Sequence, residues 1–119
     1  MSEERLREFI KAWIRQDIEA VMSFIAEECI YETSTGPEPG QTYVGKEAIR
    51  KKFIEVLADD GDGELQIGLT FVHGDKGLSE WRYDYTDAEG RVIPQHGCDV
   101  FEFVGDKISR KSVFRKTYA

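Results

Sequence analysis

The sequence predicts an α+β domain in which a curved sheet closes over a helical layer, and three observations carry that prediction. Apolar residues recur at helical spacing through the N-terminal half, they switch to strand-type alternation after Leu65, and short Gly- and Asp-rich turns divide the C-terminal half into a four-strand meander. Such a sheet, curved over three helices, encloses a pocket between the layers.

Taken in order, Leu6, Phe9, Ile10, Trp13 and Ile14 form the apolar stripe of a helix from Glu3 to about Gln16, with Glu4, Arg7, Glu8, Lys11 and Arg15 facing water. Asp17 can cap a second, shorter helix with Ile18, Val21, Met22 and Ile25 inward. A strand over Ile30–Thr35 comes next, and Gly36-Pro37-Glu38-Pro39-Gly40 ends it, because two prolines and two glycines suit neither helix nor sheet. The third helix opens at Gly45-Lys46-Glu47-Ala48, buries Ile49, Phe53, Ile54 and Leu57, and stops in Asp59-Asp60-Gly61-Asp62-Gly63. Leu65, Ile67, Leu69 and Phe71 then share one strand face, and Trp81, Tyr83 and Tyr85 share the inward face of the next, leaving Arg82 and Asp84 outside. The last two strands run from about Val92 to Phe103 and from Lys107 to Thr117, with turns at His73–Gly77, Asp87–Gly90 and Val104–Lys107.

Length bounds the organisation: 119 residues make one domain, 1–119, with no internal repeat and no linker. The net charge of −7 disfavours nucleic acid and anionic lipid, whose recognition needs clustered Lys and Arg. No apolar run approaches the ~20 residues that span a bilayer, and the charged start Met-Ser-Glu-Glu-Arg is unlike a signal peptide, so a cytoplasmic location is expected. Cys29 and Cys98 form no CxxC or disulfide framework and read as small buried hydrophobes.

Few cofactor motifs have support. Asp60-x-Asp62-x-Glu64 begins like a calcium loop, but Leu65 stands where the turn needs Gly and no bidentate Glu comes after it. His96 and Cys98 give two zinc ligands where three or four are needed. No phosphate-binding glycine motif and no nucleophile elbow occurs. Neither a metal nor a cofactor is expected.

The informative carboxylate is Asp99. Alternation from Ile93 to Phe103 sets Gln95, Gly97, Asp99, Phe101 and Phe103 on one face, so the acid shares a largely apolar wall. An acid so placed can exchange a proton or donate a hydrogen bond as a neutral group; equally, it can be satisfied by backbone or by a cation such as Lys116 or Arg115 on the last strand.

Phe24-Ile25-Ala26-Glu27-Glu28-Cys29-Ile30-Tyr31-Glu32, Gly36-Pro37-Glu38-Pro39, Gly45-Lys46-Glu47-Ala48-Ile49-Arg50 and the ending Gly97-Cys98-Asp99-Val100-Phe101-Glu102-Phe103 with Gly105-Asp106-Lys107-Ile108 resemble the SnoaL-like and ketosteroid-isomerase-like families of the nuclear transport factor two-like superfamily. The resemblance spans nearly the whole chain. It implies a cone-shaped, cystatin-like fold: three N-terminal helices packed on a highly curved, mostly antiparallel sheet around a pocket, often dimeric through the outer sheet face.

Set beside the isomerase pattern, Asp99 falls at the position of the protonated Asp, Phe9 at that of the oxyanion-binding Tyr and Thr33 at that of the base. A Phe cannot donate and a Thr cannot take a proton, so steroid-type isomerisation would need Glu32 or Tyr31 instead, and alternation allows only one of them. Similarity to SnoaL-type cyclases implies Asp99 as acid/base with His96 as helper, although parity sets His96 on the opposite face. Arg82-Tyr83-Asp84 is similar to the Arg-x-Asp pair of limonene-epoxide-hydrolase relatives, but two of its three residues face out.

The expected function is that of a SnoaL-like small-molecule pocket protein, a lyase, isomerase or cyclase acting on a ring-containing or carbonyl ligand. Asp99 is the catalytic candidate, and Trp13, Tyr31, Thr33, Trp81, Tyr83, Phe101 and Lys116 are the ligand-binding candidates. The alternative is a non-catalytic ligand-binding or homodimerising module that uses an outer face carrying Thr70, His96, Cys98 and Val100.

Overall fold

The computed structural model describes residues 1–60 and 65–119, the side chain of Asp60 excepted. The Asp60-x-Asp62-x-Glu64 run therefore lies outside the described residues. In chain order the elements are α1 (Glu3–Ile14), α2 (Ile18–Ser23), β1 (Ile25–Glu32), β2 (Thr42–Val44), α3 (Lys46–Asp60), β3 (Gln66–His73), β4 (Lys76–Thr86), β5 (Val92–Val104) and β6 (Lys107–Arg115). No helix among the described residues is long and apolar enough to cross a membrane.

Local chemistry starts and stops the helices. Ser2 accepts from the Arg5 amide at 3.0 Å, which satisfies one orphan N–H of α1, and Glu3 and Glu4 oppose the positive end of the helix dipole. Gln16, at φ 59°, breaks the chain, and Asp17 restarts it by accepting from the Ala20 amide at 3.1 Å. α1 buries Leu6, Phe9, Ile10 and Ala12. Ile14 is exposed because it lies on the margin of the stripe, about 80° round the helix from Leu6. Ile54 is exposed for a like reason, standing about 140° from Ile49.

The six strands form one curled sheet in the order β2-β1-β6-β5-β4-β3, antiparallel except for the β1–β6 pair. Two expectations change here. The second helix ends at Ser23, so Ile25 starts β1 rather than closing a helix, and a sixth, three-residue edge strand, β2, pairs with β1. Leu6, Phe9, Val21, Ile25, Ile49, Phe53, Phe101 and Ile108 are fully buried where the helices meet the sheet, each such side chain contributing about 1.5–3 kcal/mol.

Two one-residue bulges decide what faces inward. In β3, Ile67 pairs with Trp81 but Thr70 pairs with Ser79, so Gly68 and Leu69 together oppose Glu80. Parity flips at that point. Thr70 turns inward and shares a 3.0 Å hydrogen bond with Ser79, while Leu69 and Phe71 become exposed. This corrects both the uninterrupted apolar face expected of β3 and the outward placement of Thr70. In β6, Ile108 pairs with Phe103 but Arg110 pairs with Glu102, leaving Ser109 as the extra residue. Ile108 therefore packs into the core, whereas beyond the bulge Lys111, Val113 and Arg115 line the interior and Phe114 is exposed.

Candidate functional site

The space between α1, α3 and the inner face of the sheet is a cavity of about 330 Å³, at the small end of the range for small-molecule sites. Phe9 and Trp13 from α1 and Tyr31 from β1 form one wall; Trp81 and Tyr83 from β4 form the other. The first wall is tied through Phe53, which meets the Trp13 and Tyr31 rings edge-on at 4.9 Å in each case. Trp81 and Tyr83 lie 5.8 Å apart, ring centre to ring centre.

Asp99 stands in the middle of the inner face. Ser79 and Val113 are its direct cross-strand partners, so Trp81 on β4 and Lys111 on β6 are its diagonal neighbours, within reach of long side chains. Both reach it. The Trp81 indole donates to Asp99 Oδ1 at 3.1 Å, and Lys111 Nζ lies 3.4 Å from Oδ2. Lys111 is 4% exposed, and its ammonium also sits 4.9 Å from the centres of the Trp13 and Tyr31 rings. Ring faces attract a cation, so the aromatic wall and Asp99 together replace the water that Lys111 has lost. Cys29, buried nearby, has its thiol pushed up to about 11 by burial, against a smaller opposing effect of the Lys111 charge.

Gly97 is required by Trp81. A Cβ at Gly97 would fall 2.6 Å from the indole ring and 2.3 Å from the Phe114 carbonyl oxygen. At the rim, Thr33 Oγ1 accepts from the Gln41 amide at 3.0 Å and donates to the Thr35 carbonyl at 2.8 Å, closing the loop after β1. Gly40, at φ +81°, makes that closure possible, since a Cβ there would lie 2.0 Å from the Thr33 carbonyl oxygen.

Of the residues expected at the site, Trp13, Tyr31, Thr33, Trp81, Tyr83 and Asp99 line the cavity. Phe101 does not: it is fully buried under Phe9, 6.1 Å away ring to ring, and belongs to the core below the floor. Lys116 is also corrected. It is exposed beyond the end of β6, with its backbone N–H donating to the His96 carbonyl, and the cation beside Asp99 is Lys111. The Ser109 bulge hides that residue from simple alternation. Tyr85 is exposed and outside the lining. Glu32 and His96 point to the outer face, where Arg110 and Glu80 are their charged neighbours. Cys98, expected to be buried, is only partly so. Among the described residues no three His, Cys, Asp or Glu side chains gather as metal ligands.

The SnoaL-like domain family model matches residues 6–111. No curated protein sequence matches the chain. Among solved structures, an NTF2-like protein of unknown function from Mesorhizobium loti is 24% identical, superposes with a TM-score of 0.80 and is matched over 96% of this chain and 89% of its own. A cystatin-fold protein from Novosphingobium aromaticivorans is 24% identical with a TM-score of 0.78, over 97% of this chain and 99% of its own. A candidate ketosteroid isomerase from Kribbella flavida is 17% identical with a TM-score of 0.80, over 98% and 78%. At these identities the likeness is one of fold.

Proposed function

The chain belongs to the SnoaL-like domain family, and from that premise we propose that it is a small-molecule pocket protein in which Asp99 acts as the acid/base on a ring-containing carbonyl ligand. The observation that carries this reading is the inner-face constellation: a carboxylate that accepts from Trp81 Nε1, beside the Lys111 ammonium, in an aromatic-walled cavity. Both neighbours are donors, which suits the carboxylate form and favours a proton acceptor over a neutral hydrogen-bond donor. In the proposed step a proton passes from the carbon next to the ligand carbonyl to Asp99. The C–H electron pair becomes the enolate double bond, and the negative charge on oxygen faces the Lys111 ammonium. Return of the proton at another carbon would complete an isomerisation. Tyr31 and Tyr83 supply further hydroxyls, and Trp13 and Trp81 supply ring surfaces.

The test is hydrogen–deuterium exchange at the α-carbon of a neutral ring ketone, 2-tetralone, in heavy water, with the two indole N–H signals of the chain, recorded in parallel in ordinary water, reporting occupancy. Accelerated exchange that disappears in Asp99→Asn, while the indole shifts persist, supports the reading. Indole shifts without accelerated exchange overturn the acid/base role and favour a binding protein.

A second reading has its own observation. Leu69, Phe71, Val100 and Phe114 are exposed on the outer sheet face, which fits a homodimer formed through that face, with or without catalysis inside. Sedimentation equilibrium of wild type and Phe114→Lys tests it: a dimer that the substitution dissociates is expected, and a wild-type monomer overturns it.

A further inference from the structure

Among the described residues the cavity carries more positive charge than this acidic chain would lead one to expect, and one of its cations has no partner among them. Three described cations line it, Lys52, Lys111 and Arg115, against two described acids, Asp59 and Asp99. Lys111 faces Asp99, and Lys52 lies 3.5 Å from Glu55 and over the Tyr43 ring. Arg115 is half-buried as a residue, lines the cavity and makes no ion pair or side-chain hydrogen bond with the described residues; the exposed rim acid, Asp59, is not bonded to it. A guanidinium carried by a residue that lines a ligand-sized space is a ready partner for a planar anion, which its forked N–H groups match two at a time.

Position says where that anion would lie. Arg115, Gly97 and Trp81 occupy one cross-strand row, and Gly97 has no side chain to separate the indole from the guanidinium side of the row. Asp99 is level with Val113, two strand residues deeper than Arg115, or about 7 Å along the strand. A single fused or substituted ring spans that interval. We propose that the ligand is a ring compound bearing a carboxylate: Arg115 holds the carboxylate at the rim, the ring lies against Trp81, and the reacting carbon reaches Asp99. The proposal rests on the pocket reading above and narrows its substrate class to ring carboxylates. Lys52 is the nearest competitor for the anion, and Asp59 opposes it.

Two probes of equal shape test this, 2-naphthoate and 2-naphthamide, titrated into the intact protein at neutral pH. Both tryptophans of the chain line the cavity, so their indole N–H resonances report binding directly. Wild type is expected to hold the carboxylate at least about tenfold more tightly than the amide, the gain of one charge-assisted pair. Arg115→Met is expected to bring the two within about twofold by weakening the carboxylate alone, and Lys52→Met is expected to keep the preference. A preference that survives Arg115→Met, or that is lost in Lys52→Met instead, overturns the assignment to Arg115. Equal binding of the two probes by wild type overturns the carboxylate class while leaving the pocket intact. If neither probe moves the indole signals although 2-tetralone does, the ring-carboxylate proposal alone is overturned; if none of the three does, the pocket reading falls and takes the proposal with it.

Discussion

Strands β4, β5 and β6 carry opposite charges on both faces of one sheet, and the two faces put them to different use. On the inner face Asp99 and Lys111 are 15% and 5% exposed in their side chains and share one 3.4 Å contact in an aromatic enclosure. On the outer face Glu32, Arg110, Glu102 and Lys76 form a ladder across four strands, with Arg110 Nε 2.7 Å from Glu32, Arg110 Nη1 2.9 Å from Glu102 and Lys76 Nζ 3.0 Å from Glu102. The outer ladder has the better hydrogen-bond geometry. Water competes for every member of it, so its net contribution is small, whereas the inner pair is largely shielded from that competition. A well-packed apolar pair would serve stability at least as well at the inner site, so stability alone does not account for the pair.

The largest effect that would break this contrast is at Lys111. Lys111→Met leaves Asp99 with the indole donor and no counter-charge, and is expected to cost about 3–5 kcal/mol in urea unfolding. The double substitution Asp99→Asn/Lys111→Met should recover most of that loss. If the single variant is as stable as wild type, the inner pair is no more than a surface-like contact.

On the outer face, Glu102→Gln is expected to cost no more than about 1 kcal/mol. Its pH dependence has a definite sign. Hydrogen bonds from Arg110 and then Lys76 hold the Glu102 carboxyl below its ordinary value of 4.5. The unfolded chain therefore binds the proton first as pH falls. The contribution of Glu102 is complete above that ordinary value and is lost as pH drops through the depressed folded one. The difference in Tm between wild type and Glu102→Gln should be level at pH 6 and shrink as pH falls from about 5 toward 3; a constant difference would show that the loss is one of packing, not charge.

The smallest effect separates the two cysteines. Burial raises both thiols, Cys29 to about 11 and Cys98 in the same direction, with Asp99 and Glu80 adding to the latter. Cys98 is partly exposed on the outer side and Cys29 is fully buried. Iodoacetamide at pH 8 should label Cys98 slowly and Cys29 only on unfolding, as read by peptide mass. Equal labelling in the native state would mean that the inner layer opens to solvent.

How far the sequence can be read differs from strand to strand. Along β5 the alternation is unbroken, so the inward position of Asp99 comes from spacing alone, as does the outward turn of His96. Along β6 the same rule fails at Ser109. Counting on from buried Ile108 would turn Arg110, Ser112 and Phe114 inward and leave Lys111 and Arg115 in water, the reverse of the structure. β3 repeats the failure at Gly68, where an apolar series continues in sequence after its face has changed. β2 escapes a reading by periodicity because three residues on a sheet edge carry too little of it to register.

What the sequence determined by itself was therefore local: the capped helices, the turns, the α+β layout, the aromatic content of the walls and the candidate carboxylate, all of which depend on neighbours a few positions away. What only the tertiary structure decided was which residues meet. The Asp99–Lys111–Trp81 constellation joins three strands through diagonal contacts. Its register depends on the single-residue bulge at Ser109 of β6, and a shift of one residue exchanges the whole inner and outer set of side chains.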